Sequence, residues 1–194
     1  MDNSESKELF TQVRVAHRLL AVYYQKIHRL MEEVVSHDEL ELEFLSWDPM
    51  LFDRPALSRV NQLDRYAFDL LPGVDTEYLF LRGQRKLQEP GDWLLVFHLT
   101  SSPEDGKSVL RCYIVAPRKP LEFDWYHDIW LRICIGYPEI TETPEAECMC
   151  DESGLYACAF EVSIEQLTDK DAVPMLVKKI KECRDVAVGS ATTE

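Results

Sequence analysis

The residues best suited by type to chemistry fall in two short stretches of the chain's second half. Asp124-Trp125-Tyr126-His127-Asp128 sets one imidazole between two carboxylates, and a neighbouring carboxylate can fix a histidine's tautomer and hold its proton. Catalysis needs a nucleophile, a base and an orienting group that converge. No G-x-S-x-G stretch or other nucleophile motif supplies the rest. Cys148-Met149-Cys150 and Cys158 offer three thiols, with His127 as a distant fourth donor. Structural zinc sites favour two-residue spacers between cysteines, and no second pair occurs here. The carboxylates crowded around these thiols also work against thiolate formation. A small hydrolase or metalloprotein built on His127, Asp124, Asp128 and the Cys148/Cys150/Cys158 group is thus one alternative reading, and the leading reading needs no cofactor or metal. Arg82-Gly83-Gln84-Arg85-Lys86 carries charge for a phosphate but lacks the glycine spacing of an anion cradle, so it reads as a turn.

Charge is distributed more tellingly than any motif. Between Ile133 and Asp169 there are nine acidic residues and no Lys or Arg. Six of them, Glu139, Glu142, Glu145, Glu147, Asp151 and Glu152, lie between Tyr137 and Gly154. Such a segment repels itself unless it is well solvated or faces a cation or a basic partner. Its aromatic neighbours Trp125 and Tyr137 are candidate anchors for that partner, and Trp47, Phe52 and Tyr126 also lie in or beside expected loops. The opposite bias occurs between Thr11 and Leu30, where Arg14, Arg18, Lys26 and Arg29 stand with no acid. Arg14, Arg18 and Arg29 share the outer face of a helix, either as a solvated face or as a dock for an acidic surface.

The 194 residues carry a formal charge of −14, with 46% apolar residues. That composition is globular, and a chain of this length can bury a core. The charge argues against direct nucleic-acid binding and against anionic membranes. No apolar run reaches the length of a membrane span, and no secretory signal pattern opens the chain, so a cytoplasmic location is expected. In that setting the six cysteines read mostly as reduced and buried.

The elements that must position these groups are legible in the apolar spacing. Leu9, Val13, Ala16, Leu20, Tyr23, Ile27, Leu30 and Val34 follow one another at 4, 3, 4, 3, 4, 3 and 4 residues. This heptad seam predicts a helix over 5–36, roughly 48 Å long at 1.5 Å per residue. Either the helix wraps over a sheet of its own chain or part of it projects toward a partner. Glu39 to Phe44 alternates polar and apolar, predicting a strand with Leu40, Leu42 and Phe44 inward. A short helix is expected near 56–70. Strands are expected over Tyr78–Leu81, Trp93–Thr100, Val109–Ala116, Ile129–Ile135 and Leu155–Val162. Trp93, Leu95, Phe97 and Leu99 share one face of a strand that is apolar on both faces, so it should be central, with His98 as a hydrogen-bonded core residue. A C-terminal helix is expected over 168–187 and a frayed tail over 188–194.

The expectation is therefore one α+β domain over 1–194, an antiparallel sheet of about five strands flanked by a long N-terminal and a C-terminal helix. Its function is expected to be non-catalytic. The acidic segment would bind, and inhibit or escort, a protein with a basic surface, as an inhibitor, an antitoxin- or immunity-like factor or an adaptor. A homodimer through the N-terminal seam is the structural alternative.

Overall fold

A computed structural model describes residues 3–49, 75–85, 87–102, 107–122, 124–137, 140, 149–150 and 154–192. The expected helix near 56–70 lies outside them. The chain runs through α1 (Asn3–Val35), β1 (Glu43–Pro49), β2 (Asp75–Arg82), β3 (Leu87–Gln88), β4 (Trp93–Ser102), β5 (Lys107–Pro117) and β6 (Leu121–Glu122). A π-helix (Trp125–Cys134), β7 (Met149–Cys150), β8 (Leu155–Ser163), a 3-10 helix (Ile164–Thr168) and α2 (Ala172–Thr192) follow. The main sheet has the order β1-β2-β4-β5-β8-β7, with every neighbouring pair antiparallel. Five of its strands are seven to eleven residues long, and β7 adds a two-residue edge. β3 and β6 pair in a separate ribbon. The fold is α+β, with the antiparallel sheet and the two terminal helices that the sequence predicts.

Period-2 alternation sorts the core into two halves. Trp93, Leu95, Phe97 and Leu99 of β4 pack with Ile27, Met31 and Val34 of α1 and with Leu176, Ile180 and Cys183 of α2. Leu94 and Val96 face the opposite side, where Ile129, Ile133 and Cys134 of the π-helix cover them. β4 sits between β2 and β5 and is buried from Trp93 through Leu99, as a central strand must be. The β2–β4 turn passes Gly83, whose φ of +120° suits glycine and whose missing Cβ admits the Asp92 carboxylate. Behind α1, Lys181 and Arg184 of α2 hold the turn at Glu39: Lys181 pairs with its carboxylate, and Arg184 donates to its carbonyl oxygen at 3.1 Å.

Three expectations need correction. Ile129–Ile135 is no strand, because residues 129–134 are the C-terminal part of the π-helix and Ile135 is its C-cap. Asp124 caps that helix by accepting from the His127 backbone N–H at 2.9 Å. Ile129 and Ile133, four apart, are buried while Leu131 and Ile135 are exposed, the signature of a helix laid on a sheet. The strand expected at Glu39 begins only at Glu43. The chain turns at 38–40, Glu41 has φ +52°, and a register shift falls between Phe44 and Ser46. Leu40 is still buried, but Phe44 ends up exposed at the edge. Finally, α2 starts at Ala172 and stays helical through Thr192, where fraying was expected from 188.

Candidate interaction surface

α1 is one continuous helix in two different environments. Its C-terminal half is core: Ile27, Met31 and Val34 are buried, and Tyr23, Tyr24 and Leu30 pack partly against the same cluster. The Tyr23 hydroxyl meets Ser101 Oγ at the end of β4 at 3.5 Å. Burial pushes the Tyr23 and Tyr78 phenols up from their ordinary value and Tyr24 to about 12; rings in contact with an apolar core cannot easily carry the phenolate charge. From Glu5 to Val22 the residues are exposed, apart from the half-exposed Ser6. The same seam nevertheless continues there through Leu9, Val13, Ala16 and Leu20, flanked by Phe10 at 58% and Leu19 at 65% exposure. Eighteen helical residues span about 27 Å. A heptad seam that is core at one end and exposed at the other is a surface with burial still to gain.

A groove of about 390 Å3 lies beside the docked half of α1, between that helix and β1–β2. His28, Met31 and Val35 line one wall, and Phe44, Trp47 and Tyr78 line the other. Trp47 and Tyr78 stack at 6.0 Å, and the His28 ring stands edge-on to both at 5.1 and 5.2 Å. Trp47 also donates from Nε1 to Thr76 Oγ1 at 2.7 Å, which holds the indole in place while about half of it remains exposed. Among the described residues, nine of the eleven exposed large apolar side chains lie on α1 or β1. Among the described residues, exposed large apolar side chains are therefore concentrated on α1 and β1.

The expected site residues divide around this surface. Arg14, Arg18 and Arg29 are exposed on the helix face opposite the seam, and Arg14 donates to Thr11 Oγ1 at 3.0 Å. Glu139, Glu142, Glu145, Glu147, Asp151, Glu152 and Cys148 lie outside the described residues, as does the side chain of Trp125. Tyr137 is not an exposed anchor. It is buried, with its ring 6.1 Å from Tyr113 and its hydroxyl donating to the Ala157 carbonyl at 3.5 Å. Nor does the structure assemble His127 with Cys158. His127 is exposed on the π-helix, with Nδ1 at 3.0 Å from Asp124, whereas Cys158 is buried on the opposite face of the sheet against Cys183. Asp128 binds back to the Asp124 backbone N–H at 2.7 Å and faces Arg132 at 3.7 Å. This Asp-His-Asp run therefore builds a helix start. Among the described residues, no group of three or more His, Cys, Asp or Glu is arranged to hold a metal ion. The basic turn at 82–86 is likewise tied up at two arginines: Arg82 pairs with Glu41 at 2.9 Å, and Arg85 donates to the Phe44 carbonyl oxygen at 3.4 Å.

Two features were missed in the sequence. The groove could have been anticipated only from Trp47, because His28 and Tyr78 carry no local mark of their convergence. The second is a polar row crossing the buried face under the π-helix. Cross-strand register sets Glu77 of β2 beside His98 of β4, His98 beside Arg111 of β5, and Arg111 beside Glu161 of β8. Glu77 is fully buried, His98 bonds to Thr100 Oγ1 at 3.2 Å and meets the Trp130 ring at 5.1 Å, and Arg111 pairs with Glu161 at 2.9 Å. His98 is thus the hydrogen-bonded core residue that its strand position suggested.

No helix among the described residues is long and apolar enough to cross a membrane. No solved structure matches the chain. A Pasteurella multocida (strain Pm70) protein described as "Uncharacterized protein PM0109" is 26% identical over 200 residues, covering 94% of this chain and 95% of that protein. The family model described as PM0109 matches residues 3–101, from α1 through nearly all of β4, including the exposed seam and the groove. As that match takes in just over half of the chain, the chain belongs to the PM0109 family.

Proposed function

We propose that this chain is a non-catalytic protein-interaction component that makes contact through the exposed half of α1. One observation carries the reading: the heptad seam that docks Ile27, Met31 and Val34 into the core runs on, apolar and exposed, through Leu20, Val13 and Leu9. Exposing such a stripe is unfavourable for a lone soluble protein, whereas covering it with a partner helix recovers the burial. The buried thiols of Cys112, Cys134, Cys158 and Cys183 suit a reducing compartment, so we place the protein in the cytoplasm. A second contact is favoured by the net charge of −14. In this reading the acidic segment between Tyr137 and Gly154 steers a partner with a basic surface, which the chain escorts or inhibits.

The test is capture of the tagged full-length chain from its host lysate, at low and high salt, beside a Leu9→Glu/Leu20→Glu variant. The reading predicts a stoichiometric bound protein, a second copy of the chain included, that the variant fails to retain. Equal recovery by both, or no bound protein at either salt, refutes it.

A further inference from the structure

Resting on the reading of the α1 seam as a contact face, we propose that its occupant is the same seam of a second copy of this chain, packed antiparallel. The seam residues exposed are Leu9, Val13, Ala16 and Leu20. They are symmetric about the point midway between Val13 and Ala16. Turning a second helix end for end therefore places Leu9 against Leu20 of the second copy and Val13 against Ala16 of the second copy. Each layer then joins a position that begins a three-residue step of the heptad with one that begins a four-residue step, the layering of an antiparallel pair.

Two further features of the chain select this orientation. The first is the charge beside the seam. Glu5, Gln12, Leu19 and Lys26 recur every seven residues along one flank. Antiparallel overlap brings Glu5 opposite Lys26 of the second copy, and the symmetry supplies that ion pair twice. Parallel overlap would instead set Glu5 near Phe10, and Lys26 near Met31, which is already buried in the chain's own core. Arg14, Arg18 and Arg29 point away from the seam in both arrangements and do not oppose it. The second is the position of the rest of the molecule. From Tyr23 onward the seam itself is occupied by the sheet, so a second helix packs on the seam only through the preceding turns, while its first turn meets the exposed flank at Lys26. A parallel pair would hold two chains of charge −14 side by side, whereas an antiparallel pair places them at opposite ends of the joined helices.

The test is sedimentation velocity of the full chain over a concentration series, with Glu5→Lys, Lys26→Glu and the double exchange. The wild type is expected to sediment as twice 22.6 kDa at the higher concentrations. Each single exchange should weaken the dimer roughly 3- to 30-fold, and the double exchange should recover most of that loss. Orientation is read by oxidative cross-linking. Leu9→Cys/Leu20→Cys should link two copies, whereas Leu9→Cys alone should not. A chain monomeric throughout, a double exchange no tighter than the singles, or efficient cross-linking of Leu9→Cys alone overturns the proposal. If the chain is monomeric while lysate capture is still lost in Leu9→Glu/Leu20→Glu, the second copy is excluded and the interaction function survives.

Discussion

Introducing alanine at two points of α1 gives very different expected costs. Met31 is 2% exposed and packs among Ile27, Val34 and the β2–β4 side chains. Met31→Ala removes that packing and leaves a cavity, costing about 3 kcal/mol. In a chain of 194 residues this lowers the melting temperature by roughly 6–12 °C. Leu19, twelve residues earlier in the same helix, is 65% exposed. Leu19→Ala removes few contacts within the chain, so its cost stays within about 0.5 kcal/mol. Both substitutions introduce alanine into a helix interior, so intrinsic helix propensity does not separate them. The assay is urea and thermal unfolding followed by circular dichroism at low protein concentration, where association adds no stability. Repeating Leu19→Ala at high concentration should then reveal a deficit against wild type that was absent on dilution. If Leu19→Ala in dilute solution loses half or more of what Met31→Ala loses, the N-terminal half of α1 is packed in the chain's own core and the reasoning fails.

The remaining expectations follow from burial and charge. Burial raises the Cys112 and Cys134 thiols well above their ordinary value. Peptide mapping after alkylation at mildly alkaline pH should therefore find both unmodified in the native chain and modified in denaturant; native labelling would contradict their placement. The Tyr24, Tyr78 and Tyr113 phenols are raised chiefly by burial, Tyr24 to about 12. A raised folded-state pKa means that the native state holds protons the unfolded state has released. Their contribution is thus intact below the unfolded value of about 10 and is lost as the pH climbs through the folded values. Urea midpoints should stay level up to that point and then fall, with late phenolate absorbance; uniform ionisation near the ordinary value would refute the burial. Replacing Glu139, Glu142, Glu145, Glu147, Asp151 and Glu152 with Gln or Asn should slow association with a basic partner, reduce its salt dependence and leave the melting curve unchanged. An unchanged on-rate would exclude the acidic segment as a steering surface.

The sequence made some elements legible and others not, for physical reasons. The α1 seam has a single period over nearly four heptads, so its expected limits of 5–36 fall close to the observed Asn3–Val35. β4 was legible in both its faces because Trp93 to Leu99 is apolar but for His98, a pattern that suits a covered central strand. Ile129–Ile135 defeated the same reasoning. A seven-residue run that is apolar but for Arg132 fits a strand or a buried helix equally well, and the deciding signal, the Asp124 cap with Asp128 in the first turn, lies outside the run. At Glu39–Phe44 the alternation is real, but a turn at 38–40 and the positive φ of Glu41 break its register before the strand begins. Tyr137 had no neighbour in sequence to announce that Tyr113 would bury it. Of the candidate contact surface, the seam could be read as apolar, yet which half the sheet would leave exposed depended on the tertiary position of Tyr23 against Ser101.

Hydrogen exchange along α1 tests the central claim most directly, comparing the dilute purified chain with the same chain at high concentration or in the captured assembly. The account predicts that amides over 27–35 are protected under both conditions, while those over 9–20 exchange quickly when dilute and become protected on association. Exchange over 9–20 that stays fast in the assembly, or is already as slow as over 27–35 in dilute solution, would contradict it.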